Sequence, residues 1–519
     1  MSFLQPTNLW SVFESTVQAG PERPALVFSD ATVSFAKLAE LAARAAAGLV
    51  ALGLRSGDIV ALEMPKRLET YALWLACIRQ AFTYVFIDPK NPPERTVSIL
   101  ARTQPALHVS LADSSLADDV NPHGRHLALG GDTAGADWIE KLAGDAAPVD
   151  PAAAHGLTPA YIMFTSGSTG EPKGAVIPHQ GVISLMTWAR DKVIRGEQLR
   201  FSNLNPLHFD NSVFDLYCGL MNGAALVPVE TAALSNPMAW VRRLRDGLAS
   251  AVFAVPTLFL TLDRLKLLTP DSLPQVRVFL FGGEGFPIEA LKAFHQRFAG
   301  QARLINVYGP TETSCICSSI EIDAAQLAAA KAGFASLGRM HPGFDYLVLD
   351  AEQQPATVGE LWIGGPCVGL GYYANAEETQ RRFCQDPRQD RYRSVWYRSG
   401  DLVSEDAAGL LWFRGRADNQ VKIRGHRIEL EEIDLAVEQI ADVLRASCVA
   451  VEGMDGLELR LAFAAKRAIP VADVLAHCTS NLPTYMRPSR VVQLDQLPEN
   501  ANGKVDRKAV RVLLAALQE

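Results

Sequence analysis

The 519-residue chain is poor in several features that would each decide a class. No stretch approaches the ~20 apolar residues of a bilayer-crossing helix, so membrane insertion is not expected. The N-terminus, MSFLQPTNLW, lacks both a basic start and an apolar run, so no secretory leader is expected and a cytoplasmic location is. Positive charge is in deficit: 49 Lys and Arg face 57 Asp and Glu, and a net charge of -8 argues against nucleic acid as a partner. The eight cysteines are scattered, and Cys315 and Cys317, the only close pair, have no matching His or Cys cluster. Neither a disulfide framework nor a zinc module is expected, and the thiols read as reduced. Internal repeats and low-complexity tracts are also missing.

What remains is an ordinary globular composition, 48% hydrophobic and 20% charged, on a chain long enough for two to four structural units. Residues 34–56 predict a helix, with Ser34 as its cap and Leu38, Leu41, Ala45 and Leu49 as its apolar stripe before Gly53. Strands are predicted at Asp58–Glu63, Thr83–Ile87, Leu107–Leu111, Ala224–Val229, Ala251–Val255 and Val276–Phe281, with helical segments such as Leu68–Gln80 between. That alternation predicts an α/β architecture with largely parallel sheets. From Met340 to Gly371 short strands and turns such as DYLVLD and GELWIG predict a small β-barrel-like unit. Residues 418–519 predict a compact α+β domain, following an N-terminal region over residues 1–417.

Residues 161–174 read YIMFTSGSTGEPKG. A β-prone run empties into a loop of glycines, hydroxyls and one lysine, and Gly174-Ala-Val-Ile177 continues as a second strand. Glycines let backbone N–H groups approach an anion closely, and hydroxyls and an ammonium add donors, so the loop suits phosphate. It is not the Walker loop, which needs Gly-Lys-Ser/Thr leading into a helix.

Seven further stretches follow in order: HFDNSVFDLYCGL (208–220), NVYGPTET (306–313), GELWIGGPCVGLGYY (359–373), YRSGDL (397–402), GRADNQVKIRGHRIELEEI (415–433), LPTYMRP (482–488) and NGKVDR (502–507). Together they resemble the adenylate-forming enzymes, which include acyl-CoA synthetases, firefly luciferase and the adenylation domains of nonribosomal peptide synthetases. The resemblance covers nearly the whole chain. It implies two α/β subdomains and a barrel-like subdomain followed by a mobile C-terminal domain, and ATP and Mg2+ as cofactors. It gives Thr165, Ser166, Ser168, Thr169 and Lys173 to the phosphates of ATP. Tyr308 would stack on adenine, Thr311 would meet a phosphate oxygen and Glu312 would hold Mg2+, a hard cation suited to a carboxylate. Gly283 and Asn306 fall in the nucleotide site, Asp401 would accept the ribose hydroxyls, and Arg416 would lie near ribose and phosphate. Lys504 would bridge the substrate carboxylate and the α-phosphate, Asp418 would be the hinge of the small domain, and Gly425 would border the thiol tunnel.

Asp210 bears on the substrate. It could cap a helix over 212–220, as Asp does well; the amino-acid-activating branch of the family places there an aspartate that pairs with the substrate's α-ammonium. The matching pocket positions are Asp210, Asn211, Phe214, Thr257, Leu280, Gly282, Val307, Cys315 and Ile316, with Lys504. This mostly apolar wall implies a small or branched aliphatic amino acid, with Asn211 unexplained. Only fifteen residues follow Lys504, so the expected acceptor is the phosphopantetheine thiol of a separate carrier protein, with the enzyme a monomer. PLHFDNSVFDLY and FLFGGEGFP look like D-alanine–D-alanyl carrier protein ligases and free-standing loading enzymes. Cell-wall alanylation and natural-product biosynthesis both remain open, and an acyl-CoA synthetase is the alternative.

Overall fold

The computed structural model describes residues 8–111, 124–130, 154–167, 171–230, 233, 236–329, 333–453, 456–499 and 505–516. The chain divides into two compact units: one of residues up to Pro89, Thr103–Met163 and Gly174–Ala417, the other of Lys90–Arg102, Phe164–Lys173 and Asp418–Glu519.

The first unit is α/β. Nine strands form one sheet in the order Arg339–Met340, Ser318–Glu321, Arg303–Tyr308, Val278–Gly282, Ala251–Ala254, Arg200–Asn203, Ala225–Pro228, Pro24–Val27, Thr32–Ser34. Its central pairings are parallel, and antiparallel pairs close both edges. A strand buried on both faces reads as continuous apolar sequence, and Val278–Gly282, VFLFG, is fully buried. Its alternation sorts side chains by face: Leu280 joins one core with Phe214, Val307 and Ile316, while Phe279 and Phe281 join another with Leu291, Phe294 and Phe298. A second sheet runs Arg125–Leu129, Leu107–Leu111, Ile59–Glu63, Thr83–Phe86, Pro159–Thr165, Lys173–Pro178. Helices Phe35–Ala51 and Leu68–Gln80 pack on each other in the core between these layers. There the Trp74 indole N–H donates to the Tyr217 hydroxyl at 3.2 Å, and the Tyr84 and Tyr217 hydroxyls meet at 3.0 Å. Buried aromatics with such polar tips need partners. A five-stranded antiparallel sheet, led by Asp345–Leu349, Val358–Gly364 and Val395–Glu405, completes this unit.

Ser34 caps Phe35–Ala51, its hydroxyl accepting from the Lys37 N–H at 3.2 Å. The cap that Asp210 could have supplied is not formed. That residue is helical (φ -63°, ψ -25°) and its side chain accepts no N–H of the following turn. A cap needs extended backbone to swing its oxygen over the turn. The helix expected over 212–220 is a three-residue α-turn, Asn211–Val213, running into a π-helical stretch, Phe214–Gly219.

In the second unit, Val443–Gly453, Gly456–Ala465 and Arg490–Leu494 form a sheet covered by helices Leu430–Glu438 and Val471–Asn481. A hairpin, Gln420–Ile423 with His426–Glu429, turns through Arg424 and Gly425 at φ 51° and 80°. Two consecutive left-handed residues match the twist of a two-residue hairpin. Among the described residues no helix is long and apolar enough to cross a membrane. Among the described residues no disulfide links the eight cysteines, seven of which are buried.

Candidate active site

Asp401 lies on Val395–Glu405 directly opposite Arg416 on the neighbouring strand, at 3% exposure. Arg416 Nη1 donates to Asp401 Oδ1 at 2.6 Å and to the Ser399 carbonyl at 3.0 Å. The Tyr308 hydroxyl donates to Asp401 Oδ2 at 2.5 Å. Burial, and then the Asp401 charge, push the Tyr308 hydroxyl well above its ordinary pKa, so it stays a donor. A buried carboxylate between a guanidinium and an aromatic ring can hold a vicinal diol beside a flat base. Nearby, a side chain on Gly282 would strike the Val307 carbonyl at 2.4 Å, and Gly283 sits at φ 83°, so both positions require glycine. The buried Asn306 amide donates to the Ser336 carbonyl at 2.7 Å.

The strand Arg303–Tyr308 turns through Gly309-Pro310 into a single 3-10 turn, Thr311–Thr313. The Thr311 hydroxyl donates to Asp210 Oδ2 at 2.6 Å. Glu312 is fully buried, and its Oε1 accepts from the Tyr372 hydroxyl at 2.5 Å. Ser314 and Cys315 follow at φ 62° and 78°. Two non-glycine residues in that region are a strained pair, held only where surroundings over-determine them. Here the Ser314 hydroxyl is fixed on the Cys367 carbonyl at 2.8 Å, and the Cys317 N–H on the Tyr308 carbonyl at 2.8 Å.

Phe214, Leu280, Val307, Cys315 and Ile316 fall in one hydrophobic cluster, and Asn211, at 7% exposure, opens the turn that carries Phe214. Thr257 is not in that cluster; its N–H and hydroxyl both go to Glu284 Oε2, at 3.2 and 2.5 Å. Phe253, which sequence reasoning did not single out, packs edge-on against Phe214 at 5.1 Å between centroids. Its signal was its place in the buried strand AVFA, which any core residue shares. Tyr372 was missed too, although the stretch GLGYY contains it.

Glu312 offers a hard oxygen ligand, and among the described residues no group of three or more His, Cys, Asp or Glu is arranged to hold a metal. A divalent ion at Glu312 therefore needs oxygens from elsewhere. That suits Mg2+ held jointly by one carboxylate, phosphate oxygens and water.

Within the second unit, Ser166 Oγ donates to the Arg427 carbonyl at 2.7 Å and accepts from the Glu429 N–H at 3.1 Å. The Gly167 N–H donates to Glu432 Oε2 at 2.9 Å, and Lys173 Nζ lies 3.9 Å from Glu429 Oε1. Thr165 Oγ1 reaches the Lys173 carbonyl at 3.5 Å. Two of the loop's donors, the Gly167 N–H and the Lys173 ammonium, thus face carboxylates, the protein groups nearest to phosphate in charge and geometry, while the Ser166 and Thr165 hydroxyls face carbonyls. Asp418 lies in a bend, its Oδ1 accepting from the Gln420 N–H at 3.3 Å, and Gly425 is the left-handed turn residue above. Ser168, Thr169 and Lys504 lie outside the described residues.

Solved structures share this architecture. An artificially fused adenylation–PCP di-domain nonribosomal peptide synthetase, NpsA-ThdA from Klebsiella oxytoca, superposes with a TM-score of 0.82 at 24% identity over 94% of each chain. The crystal structure of IdnL1 superposes at 0.80 with 30% identity, covering 95% of this chain and all of that one. The chain shares the α/β fold of these structures, with Asp401, Tyr308 and Arg416 as a buried polar cluster within it. More particularly, residues 13–373 match the family model described as AMP-binding enzyme, and the chain belongs to that family. Tyrocidine synthase 3 of Brevibacillus parabrevis is 33% identical over 98% of this chain, which spans only 8% of that protein. The L-proline–L-prolyl-carrier protein ligase of Streptomyces coelicolor is 32% identical, covering 93% of this chain and 92% of the ligase.

Proposed function

We propose that the chain activates an amino acid with ATP and passes the aminoacyl group to the phosphopantetheine thiol of a separate carrier protein. The observation that carries this reading is Asp210. Its carboxylate has no capping role and stands beside an apolar cluster on the hydroxyl of Thr311. A half-buried carboxylate beside apolar side chains is a fitting partner for a cation, and a substrate α-ammonium would supply one.

In the first step a carboxylate oxygen of the substrate attacks the α-phosphorus of ATP, the bond to the leaving pyrophosphate breaks, and aminoacyl-AMP forms. Tyr308 and Asp401 orient adenine and ribose, Arg416 fixes Asp401, and the loop 165–173 holds the leaving phosphates. Lys504 neutralises the carboxylate and phosphate as they approach; oriented cations and donors supply most of the stabilisation in such transfers. Mg2+, bound through Glu312, would withdraw charge from the phosphate oxygens. In the second step the thiolate attacks the carbonyl carbon and AMP leaves. Residues 418–519 act as a mobile domain turning about Asp418, which removes Lys504 after the first step and brings Gly425 to the thiol.

The apolar wall favours a small or branched aliphatic amino acid, in keeping with the proline ligases among the relatives. The same reading makes the enzyme a cytoplasmic monomer. Pyrophosphate exchange across the twenty amino acids, D-alanine and β-amino acids tests it. Asp210 is half-buried by itself, and a bound substrate would bury its pair with the ammonium; breaking a buried pair costs about 3–5 kcal/mol, so Asp210→Asn is expected to lower exchange by at least about 100-fold. An unchanged rate would discard the amino-acid reading and leave an acyl-CoA synthetase, which thioester formation with CoA would confirm.

A further inference from the structure

One buried polar network is used by no step above. The strand Arg200–Asn203 ends in a loop that enters the turn headed by Asp210. Asp215, fully buried five residues beyond Asp210, accepts from the side-chain amides of Asn203 and Asn205, both at 3.2 Å to Oδ2. Lys66 Nζ donates to the Asn203 and Leu204 carbonyls at 2.7 and 2.9 Å, and the Tyr71 hydroxyl donates to Asn203 Oδ1 at 2.6 Å. Asn205 also donates to the Phe253 carbonyl at 3.1 Å, on the strand whose Phe253 packs on Phe214.

For stability alone this is a poor arrangement. Asp215 Oδ1 has no hydrogen-bond partner among the described residues, and apolar side chains of similar volume usually replace such ions without loss. Burial pushes the Asp215 carboxyl up and the Lys66 ammonium down, each countered by the other's charge. What the network gains is geometry: it ties the start of the 204–210 segment to Asp215, on the helical stretch that follows Asp210.

We infer that Asp215 is a positioning residue that sets Asp210 for the substrate's ammonium group, by clamping the Asp210-bearing turn to Asn203 and Asn205. This inference rests on the amino-acid reading of Asp210.

The test uses the full chain in pyrophosphate exchange, with whichever of L-proline, L-alanine and L-valine the unchanged protein uses fastest. Asp215→Ala is expected to raise KM for the amino acid at least about tenfold while KM for ATP moves less than about threefold. In an Asp210→Asn background the same substitution is expected to add less than about threefold, because residues acting as one unit are non-additive. Equal rises in both KM values, or full additivity, would overturn the inference. Should Asp215→Ala not fold, Asn205→Ala, which removes one of the two amides, is expected to give the same one-sided rise at about threefold; a symmetric effect there overturns it equally. An inert Asp210→Asn fails the amino-acid reading and this inference together. An active Asp210→Asn effect beside an inert Asp215→Ala fails this inference alone.

Discussion

Tyr308 and Asp401 are bonded to each other, so neither ring nor carboxylate is free to wander before a nucleotide arrives. A hydrogen bond to a charged group is worth about 1.5–3 kcal/mol, so Tyr308→Phe is expected to raise KM for ATP about tenfold or more. Its effect on the amino acid should be slight, and steady-state exchange against both substrates reads the difference. Glu312 shares a bond of the same kind with Tyr372. Glu312→Gln is expected to raise several-fold the Mg2+ concentration giving half-maximal exchange, with the apo protein's melting temperature little moved. A Mg2+ titration identical to that of the unchanged protein would remove Glu312 as a ligand.

Among the elements, the helix Pro93–Thr103 is joined to the helix Leu430–Glu438 by an ion pair in which Arg95 Nη1 meets Glu432 Oε1 at 2.8 Å, both side chains under 9% exposed. Glu432 is also the acceptor for Gly167. Arg95→Met leaves that carboxylate buried without its cation, and breaking such a pair costs about 3–5 kcal/mol. Denaturant unfolding followed in the second unit should report a loss of that size, and a loss below about 1 kcal/mol would mark the pair as solvated. Local signals of this kind were partly visible in the sequence. Ser34 before an apolar stripe, the strand Leu107–Leu111 and the helix Leu68–Gln80 were legible because propensity, periodicity and caps agree over adjacent residues. The site motifs were legible as motifs, through their resemblance. Whether Asp210 caps a helix was open in the sequence, because the partner its side chain takes, Thr311, lies a hundred and one residues away. The Lys66–Asn203–Asp215 network was invisible for the same reason: no local pattern marks a lysine whose partners are carbonyls of a distant strand. The paired left-handed residues Ser314 and Cys315 carry no signal either, since neither is glycine or asparagine.

At the scale of the whole molecule, two buried histidines set an acid limit. His179 accepts the Leu9 N–H at 3.2 Å, and His341 stacks on Trp188 at 4.2 Å. Burial lowers their pKa values from 6.5 to about 4 and about 3. Both stay neutral in the native state while the unfolded chain takes up their protons, so stability is full at neutral pH and falls as pH drops from 6.5 towards 4. Each contributes about 1.4 kcal/mol per pH unit in that window. His341→Phe should reduce the dependence of unfolding free energy on pH, between pH 6 and 5, by about one proton; an unchanged slope would contradict the assignment. The nine-stranded sheet has a consequence of another kind, in time. Its strand Pro24–Val27 pairs with Ala225–Pro228, with Leu26 opposite Leu226, so the two partners are 200 residues apart in the chain. A ribosome adding about 5–20 residues per second leaves the earlier strand without its neighbour for about 10–40 s. Throughout that interval Leu26, fully buried at the end, has its antiparallel neighbour Val33 but lacks the parallel one across from it. A chaperone that holds the nascent chain over that interval should therefore raise the soluble yield of this protein.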